Sequence, residues 1–532
     1  MSGNYLAAID AGTGSGRCVI FDSEGHQVAI ASREWTHPTI PEFPGAFVFE
    51  TARNWTLICE SIHEAIDRAK IRPDEIRGIS ATSMREGMVL YDEAGREIWA
   101  CPNVDSRARN EVAQMIRKGL AKKIYSKAGD WLAITSPRFL WIRKHEPEIF
   151  KKTAHMTMIS DWILHRLTGK FATDPSIGSS SNLFQLAKRT WSDEIIEWCS
   201  LPRGIFPDVK EPGTVLGEVT AGAAAETSFK ARTPVVVGGA DTQLGLIGIA
   251  AVQPYDSATI GGTFWQQTVV TEKPIIDPKI RLRTLCHAVQ GMWMTEGIGF
   301  LCGLTMRWFR DAFCEREKEI ATREGVDAYY LPERQAEHVE PGSNGIIPIF
   351  SDVMNARRWI HASPSFLQFD INQPQASGKK ECVRAIEESA AYVALGHLQI
   401  LQALTHRKMK QVVFCGGASK GFLWPQILAD VFGIKVKVPM IKESTALGAA
   451  ICAGVGVGIF RNLKETAKDL VKWERTFEPN QTTHGKYVKF YGQWSKVYKH
   501  SLEMVEEGGA ADVPSRRDIV RRSAENETHP RT

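Results

Sequence analysis

No cysteine pair in this 532-residue chain has the CxxC spacing, and no histidine stands beside one at metal-ligand spacing, although the chain holds 10 cysteines. Cys18, Cys59, Cys101, Cys199, Cys286, Cys302, Cys314, Cys382, Cys415 and Cys452 lie far apart. That pattern excludes a zinc ribbon or a dithiol redox motif and fits reduced thiols in a cytoplasm. Charge of one sign is also missing, since 65 Lys+Arg against 61 Asp+Glu leave a net +4. The basic residues are scattered rather than gathered in a stripe, so no nucleic-acid partner is implied. Uncharged runs fall short of the roughly 20 residues that span a bilayer. The longest, around Ala446 to Phe460, carries Gly448, Gly454, Gly456 and Gly458 and reads as a buried, closely packed helix and turn. Met1 to Ile9 lacks a basic start followed by an apolar run, which speaks against secretion. There is no GxxxxGK[ST], which excludes a Walker-type phosphate loop.

What is present is a large globular chain, 43% apolar and 24% charged. A prior of roughly 150 residues per domain gives about three domains, and two larger ones fit as well. The opening reads as a three-stranded meander: Tyr5 to Asp10, a Gly-rich turn over Ala11 to Gly16, Arg17 to Asp22, then Gln27 to Ser32. Trp55, Ile58, Ile62, Ala65, Ile66 and Ala69 recur at helical spacing, and Ile76 to Met84 reads as a strand. Thr233 to Gly239 reads as a buried strand, and the composition shifts near Ala251 to Pro254. The opening theme then returns, with a strand over Asp256 to Ile260, a turn at Gly261-Gly262-Thr263 and a strand from Phe264 to Val270. The repetition of AGT and GGT suggests a duplicated domain. Further on come a helix over Ser389 to Leu404, a strand over Gln411 to Cys415, a helix over Phe422 to Phe432, a strand over Ile434 to Val438 and a helix from Glu443. This alternation predicts an α/β fold. The polar, Pro- and Gly-punctuated tail from Glu506 is expected to be poorly ordered at its end.

Four segments carry candidate chemistry. Asp10-Ala11-Gly12-Thr13-Gly14-Ser15-Gly16-Arg17 joins two strands, so it is no dinucleotide fingerprint, which needs a following helix. Its glycines let backbone N–H groups approach phosphate oxygens, its hydroxyls add donors, and Asp10 can hold magnesium through water. An ordinary hairpin turn remains the plain alternative. Asp241 follows a very apolar strand and reads equally as the base accepting a hydroxyl proton or as a helix N-cap. Arg85-Glu86 offers a forked donor beside an acceptor, as a polyhydroxylated ligand requires, or a salt bridge. Ligands sit at the carboxyl ends of strands in open α/β sheets, so Asp10, Arg85-Glu86 and Asp241 are expected in one crevice. Gly416-Gly417-Ala418 is a fourth, weaker element, as are Asp105-Ser106-Arg107 and Ser160-Asp161-Trp162, for which capping is the default. Trp265 reads either as pocket wall or as core.

In this order, from about Tyr5 to about Phe460, the motifs resemble the FGGY family of carbohydrate kinases, within the superfamily of actin, hexokinase and Hsp70-like ATPases. The resemblance implies two ribonuclease-H-like α/β domains around a crevice holding ATP, Mg2+ and a sugar, over 1–252 and 253–460, with a helical extension and polar tail over 461–532. It implies Asp10 and Asp241 as the magnesium-site aspartates. Gly12, Thr13, Gly14, Ser15 and Arg17 match the first phosphate loop, and Gly262 and Thr263 the second. Gly303, Arg307, Gly417 and Ala418 match nucleotide contacts, with Arg307 standing where glycerol kinases carry Gln. Arg85, Glu86, Asp105, Asp241 and Thr242 are the implied substrate-binding residues, and Asp241 the implied catalytic base. No counterpart is identified of the tyrosine that glycerol kinases set against their substrate.

The stretches SMREGMVLYDEAG, WACPNVDSRA, MISDW, GGTFWQQ, GLTMRWFRDAFC and PIFSD resemble one branch of that family. This finer resemblance implies phosphorylation of the C5 hydroxyl of 4,5-dihydroxy-2,3-pentanedione, the linear precursor of a bacterial quorum-sensing signal. A pentulose, a pentitol or glycerol is the rival acceptor, and a nucleotide-dependent sensor without catalysis the rival class. The expected partners are therefore ATP and a small-molecule substrate, with no nucleic acid and no membrane. Oligomeric state and regulation by a protein partner leave no mark on the sequence.

Overall fold

The computed structural model describes residues 3–131, 135–358 and 360–510. It contains two large sheets. The first takes β1 (Tyr5–Ala11), β2 (Ser15–Asp22), β3 (Gln27–Glu34), β4 (Ile76–Ser83), β5 (Val215–Glu218) and β6 (Pro234–Ala240) in the order β5-β6-β4-β1-β2-β3. The second takes β7 (Ser257–Gly261), β8 (Trp265–Thr271), β9 (Arg283–Cys286), β10 (Trp293–Gly299), β11 (Gln411–Cys415), β12 (Lys435–Pro439) and β13 (Trp473–Phe477) in the order β9-β10-β8-β7-β11-β12-β13. Each sheet starts with a hairpin (β1-β2, β7-β8) whose third strand pairs on the outer side. Each then adds two parallel strands on the inner side and an antiparallel strand beyond them. The duplication suggested by two Gly-Thr turns is thus repeated strand by strand, with β9 the one addition.

Successive strand residues face opposite sides, and β1 shows how both sides are used. Ala7, Ile9 and Ala11 pack under α1 (Thr51–Ala69) with Trp55, Ile58 and Ile62, while Leu6 and Ala8 face the opposite core. That second core is built around α2 (Asp241–Gly248) and α6 (Ser444–Gly456). It also takes Ala258, Val270, Val413 and Cys415 from the second sheet, so one hydrophobic cluster joins the two halves. A Cβ on Gly248 would lie 1.8 Å from the Ser444 carbonyl oxygen, and one on Gly448 would lie 2.0 Å from that of Leu244. Only glycine lets these two helices cross backbone to backbone. The uncharged run around Ala446 is therefore a buried helix, as expected, and no helix among the described residues is long and apolar enough to cross a membrane.

Two local expectations shift, and a third falls outside the described residues. The helix expected over Ser389 to Leu404 is α4 (Lys379–Thr405), which starts earlier because Arg384 and Glu388 in its first turns are buried and paired. Arg384 Nε donates to Glu388 Oε1 at 2.9 Å, and the Tyr487 hydroxyl donates to the same oxygen at 2.8 Å from α7 (Gln481–Glu506). The helix expected over Phe422 to Phe432 is α5 (Leu423–Phe432). Of the tail expected to lack order, residues 511–532 lie outside the described residues.

Candidate active site

β1, β4 and β6 run parallel in adjacent register, with Asp10 opposite Thr82, Ala11 opposite Ser83, and Ser83 opposite Ala240. Their carboxyl ends therefore lie side by side, and the residues that follow, Arg85-Glu86 and Asp241, join Asp10 in one crevice. Asp241 is the first residue of α2 and is partly exposed, its Oδ1 accepting the Thr242 N–H at 2.6 Å and hydroxyl at 3.3 Å. Burial raises its pKa above the ordinary carboxylate range, and the Arg85 charge opposes this. The Thr242 hydroxyl also reaches Gln266 Oε1 on β8 at 3.3 Å, a link between the halves.

The first Gly-rich turn has a phosphate loop's openness. Thr13 and Gly14 are exposed, and nothing lies within 4 Å of where a Gly14 side chain would start. Its base is anchored: the Thr13 carbonyl accepts from Trp35 Nε1 at 3.1 Å and His37 Nε2 at 2.7 Å, and Asn103 Nδ2 donates to its hydroxyl at 3.0 Å. Arg17, opposite Asp10 in the hairpin, lies 3.0 Å from the Asp10 carboxylate and 2.7 Å from that of Glu443. Burial, opposed by the Arg17 charge and aided by the Asp241 and Glu443 charges, pushes the Asp10 carboxyl up to about 6. Such a carboxylate group has more negative charge than one guanidinium balances, so a divalent cation fits. No cluster of three or more His, Cys, Asp or Glu among the described residues is arranged to cage an ion alone. Magnesium takes one or two carboxylates and fills its shell with water and substrate phosphates.

The second turn, Gly262-Thr263-Phe264, closes the β7-β8 hairpin. A Cβ on Gly303, at the start of α3 (Cys302–Phe313), would sit 2.0 Å from the Gly262 carbonyl oxygen, so α3 starts directly against this turn. The Leu304 N–H donates to the Thr263 carbonyl at 3.2 Å, and Arg307 Nη2 to the Thr263 hydroxyl at 3.4 Å. β11 pairs with β7 and delivers the exposed Gly416-Gly417 and Ala418 beside it. Gly262, Thr263, Gly303, Arg307, Gly417 and Ala418 thus share one edge. Trp265 belongs to the core, with its ring 5.1 Å from Phe414 and 5.0 Å from Trp424.

Two sequence expectations turn out differently. Asp105 does not join the crevice: it is fully buried, with Oδ1 taken by Arg138 Nε at 3.3 Å and Oδ2 by Arg107 Nε at 2.7 Å and the Phe47 N–H at 2.8 Å. It anchors Arg138, which donates to the carbonyls of Pro102, Asp105 and Glu86. The second is Arg85-Glu86, where the buried Arg85 and the half-buried Glu86 each take an ion-pair partner from the second sheet. Arg85 Nη1 donates to Glu296 Oε1 at 2.8 Å, and Arg283 Nη1 to Glu86 Oε1 at 2.9 Å. Glu86 sits at φ 64°, a left-handed conformation costing about 1–3 kcal/mol that surrounding contacts must hold. Sequence reasoning missed Asn103, Arg138, Arg283, Glu296 and Glu443. Glu296 carried one legible signal, a lone carboxylate inside the apolar strand WMTEGIG. Asp161 caps as expected, its Oδ2 accepting the Met158 N–H at 3.1 Å.

Each half thus carries an exposed Gly-Thr hairpin, and the first lies beside the carboxylates of Asp10 and Asp241. Residues 5–248 match the N-terminal domain, and residues 258–457 the C-terminal domain, of the FGGY family of carbohydrate kinases. The chain belongs to that family. It is 46% identical over 511 residues to an autoinducer-2 kinase of Salmonella paratyphi B, covering 95% of this chain and 96% of the relative. It is also 46% identical over 508 residues to the autoinducer-2 kinase of Escherichia coli K12, with the same coverage of 95% and 96%. In shape it is similar to the gluconate kinase of Lactobacillus acidophilus, with a TM-score of 0.82 at 20% identity over 94% of this chain and 98% of the other.

Proposed function

We propose that this chain is an autoinducer-2 kinase, moving the γ-phosphoryl group of ATP to the C5 hydroxyl of 4,5-dihydroxy-2,3-pentanedione. The observation that carries the reading is 46% identity to autoinducer-2 kinases over 95% of the chain, together with the convergence of Asp10, Arg85-Glu86 and Asp241 at three adjacent strand ends. Arg85 and Glu86 orient the acceptor, one donating and the other accepting hydrogen bonds. The Asp241 carboxylate takes the proton of the C5 hydroxyl as its oxygen bonds to the γ-phosphorus and the bond to the β-phosphate oxygen breaks, releasing ADP. Gly12, Thr13, Gly14 and Ser15 from one side and Gly262 and Thr263 from the other cradle the phosphates, with Arg17 neutralising charge. Gly303, Arg307, Gly417 and Ala418 flank the nucleotide. Asp10 and Asp241 would hold magnesium, which when bound neutralises phosphate charge. Positioning and charge supply most of the rate.

The ten buried free thiols support a reducing compartment, the cytoplasm. The test is incubation with MgATP and dihydroxypentanedione, followed by mass detection. One ADP for each acceptor made heavier by one phosphoryl group is expected, and ADP without phosphorylated acceptor contradicts the proposal.

A further inference from the structure

The acceptor end of the crevice carries charge that the proposed mechanism does not use. Arg283 opens β9 and lies opposite Glu296 of β10, so both belong to the second sheet, whereas Arg85 and Glu86 follow β4 of the first. Glu296 Oε1 accepts from Arg85 at 2.8 Å and from Arg283 Nε at 2.5 Å, while Arg283 Nη1 bonds Glu86 at 2.9 Å and lies 3.7 Å from Asp130. Two guanidinia thus meet three carboxylates across the crevice.

A purely structural buried network is expected to satisfy all its members. This one does not. Glu296 is fully buried, yet its Oε2 has no hydrogen-bond partner among the described residues. Arg283 keeps 11% of its side chain exposed, and its Nη2 forms no hydrogen bond among the described residues. One acceptor atom and one donor nitrogen are left over beside the acceptor-binding pair. A guanidinium only donates, so it suits a group that only accepts, such as a carbonyl oxygen. The free carboxylate oxygen suits a hydroxyl.

We propose that Arg283, oriented by Glu296, is a specificity-determining residue of the acceptor site that hydrogen-bonds a carbonyl oxygen and so favours hydroxy-carbonyl acceptors over polyols of equal length. The inference rests on the acceptor site described under Proposed function. It explains why the second sheet, otherwise concerned with the nucleotide, sends a cation to Glu86.

The test uses the full-length enzyme and the variants Arg283→Gln and Arg283→Lys. Loss of a charged hydrogen bond is expected to raise KM for dihydroxypentanedione roughly ten- to hundredfold. KM for ATP and kcat should move little. Ribulose and ribitol differ only at the C2 carbonyl, so competition by ribulose should weaken in both variants while competition by ribitol holds. Arg283→Lys keeps the charge and guards against loss of folding, and its melting temperature is measured alongside. Equal weakening for ribulose and ribitol, an unchanged KM in both variants, or a parallel rise in KM for ATP would overturn the proposal. If the wild type leaves dihydroxypentanedione unphosphorylated, the functional reading fails by itself, while direct calorimetric binding of ribulose and ribitol to wild type and variants still decides the role of Arg283.

Discussion

Replacing Asp241 with Asn separates charge and basicity from shape. The asparagine carbonyl can still accept the Thr242 N–H and hydroxyl, which lie 2.6 Å and 3.3 Å from Oδ1, so the start of α2 should persist. What disappears is the ability to take a proton. General-base catalysis contributes about 10²- to 10⁴-fold, so kcat should fall by that factor, equivalent to roughly 3–5 kcal/mol of barrier. Asp10 and the nucleotide contacts on the second sheet remain, so loss of one charged magnesium ligand should raise KM for ATP by no more than about tenfold, roughly 1.4 kcal/mol. Stability supplies a second readout. Burial raises the pKa of Asp241 in the folded state, so its stabilising effect is full below the unfolded carboxylate pKa and is lost as pH rises through the folded value. The neutral amide escapes that loss, and Asp241→Asn should melt at or above the wild-type temperature at pH 8 while gaining nothing at low pH. Turnover and melting curves on the same preparations test both. A variant retaining a tenth of wild-type turnover has lost only about 1.4 kcal/mol, and Asp241 would then not be the base.

Other outcomes follow from the same geometry. MgATP binding should expel a proton near pH 6, because Asp10 is pushed up to about 6 in the free protein and a cation favours its ionised form; calorimetry in two buffers of different ionisation enthalpy reads this, and no buffer dependence would count against it. Gly303→Ala puts a methyl group 2.0 Å from the Gly262 oxygen, so KM for ATP should rise about tenfold or more, the effect of displacing phosphate contacts worth roughly 1.4 kcal/mol, with KM for the acceptor unchanged. Gly248→Ala forces α2 away from α6, where the added carbon would meet the Ser444 oxygen at 1.8 Å. It should cost about 1–3 kcal/mol in denaturant unfolding. An unchanged midpoint would mean that the two helices do not cross this tightly.

The hairpins, their repetition and the three strand ends were legible because they follow from local signals: apolar runs, Gly-Thr turns and the polar residue after each run. The Asp10 and Asp241 crevice was readable from strand order alone. Legibility stopped where charge is buried by partners distant in sequence. The apolar run from Ser389 gave no sign that α4 starts at Lys379, because Arg384 and Glu388 are charged and gain a buried partner in Tyr487, 103 residues from Arg384. Asp105 looked like a ligand residue because a lone Asp near Ser and Arg does not reveal that Arg107, Arg138 and Phe47 fill both its oxygens. Arg283 and Glu296 stayed hidden for the same reason, since their partners Glu86 and Arg85 lie 197 and 211 residues away. α6 was readable as buried, but its packing against β1, β4 and β6 emerges only in three dimensions.

Autoinducer-2 kinase activity requires the phosphoryl group to go to the C5 hydroxyl of dihydroxypentanedione. The most direct measurement is kcat/KM with saturating MgATP across dihydroxypentanedione, xylulose, ribulose, ribitol and glycerol, following ADP and phosphorylated product together. Dihydroxypentanedione should lead the series, with stoichiometric ADP and the phosphate on C5. A pentulose, ribitol or glycerol in first place would contradict it.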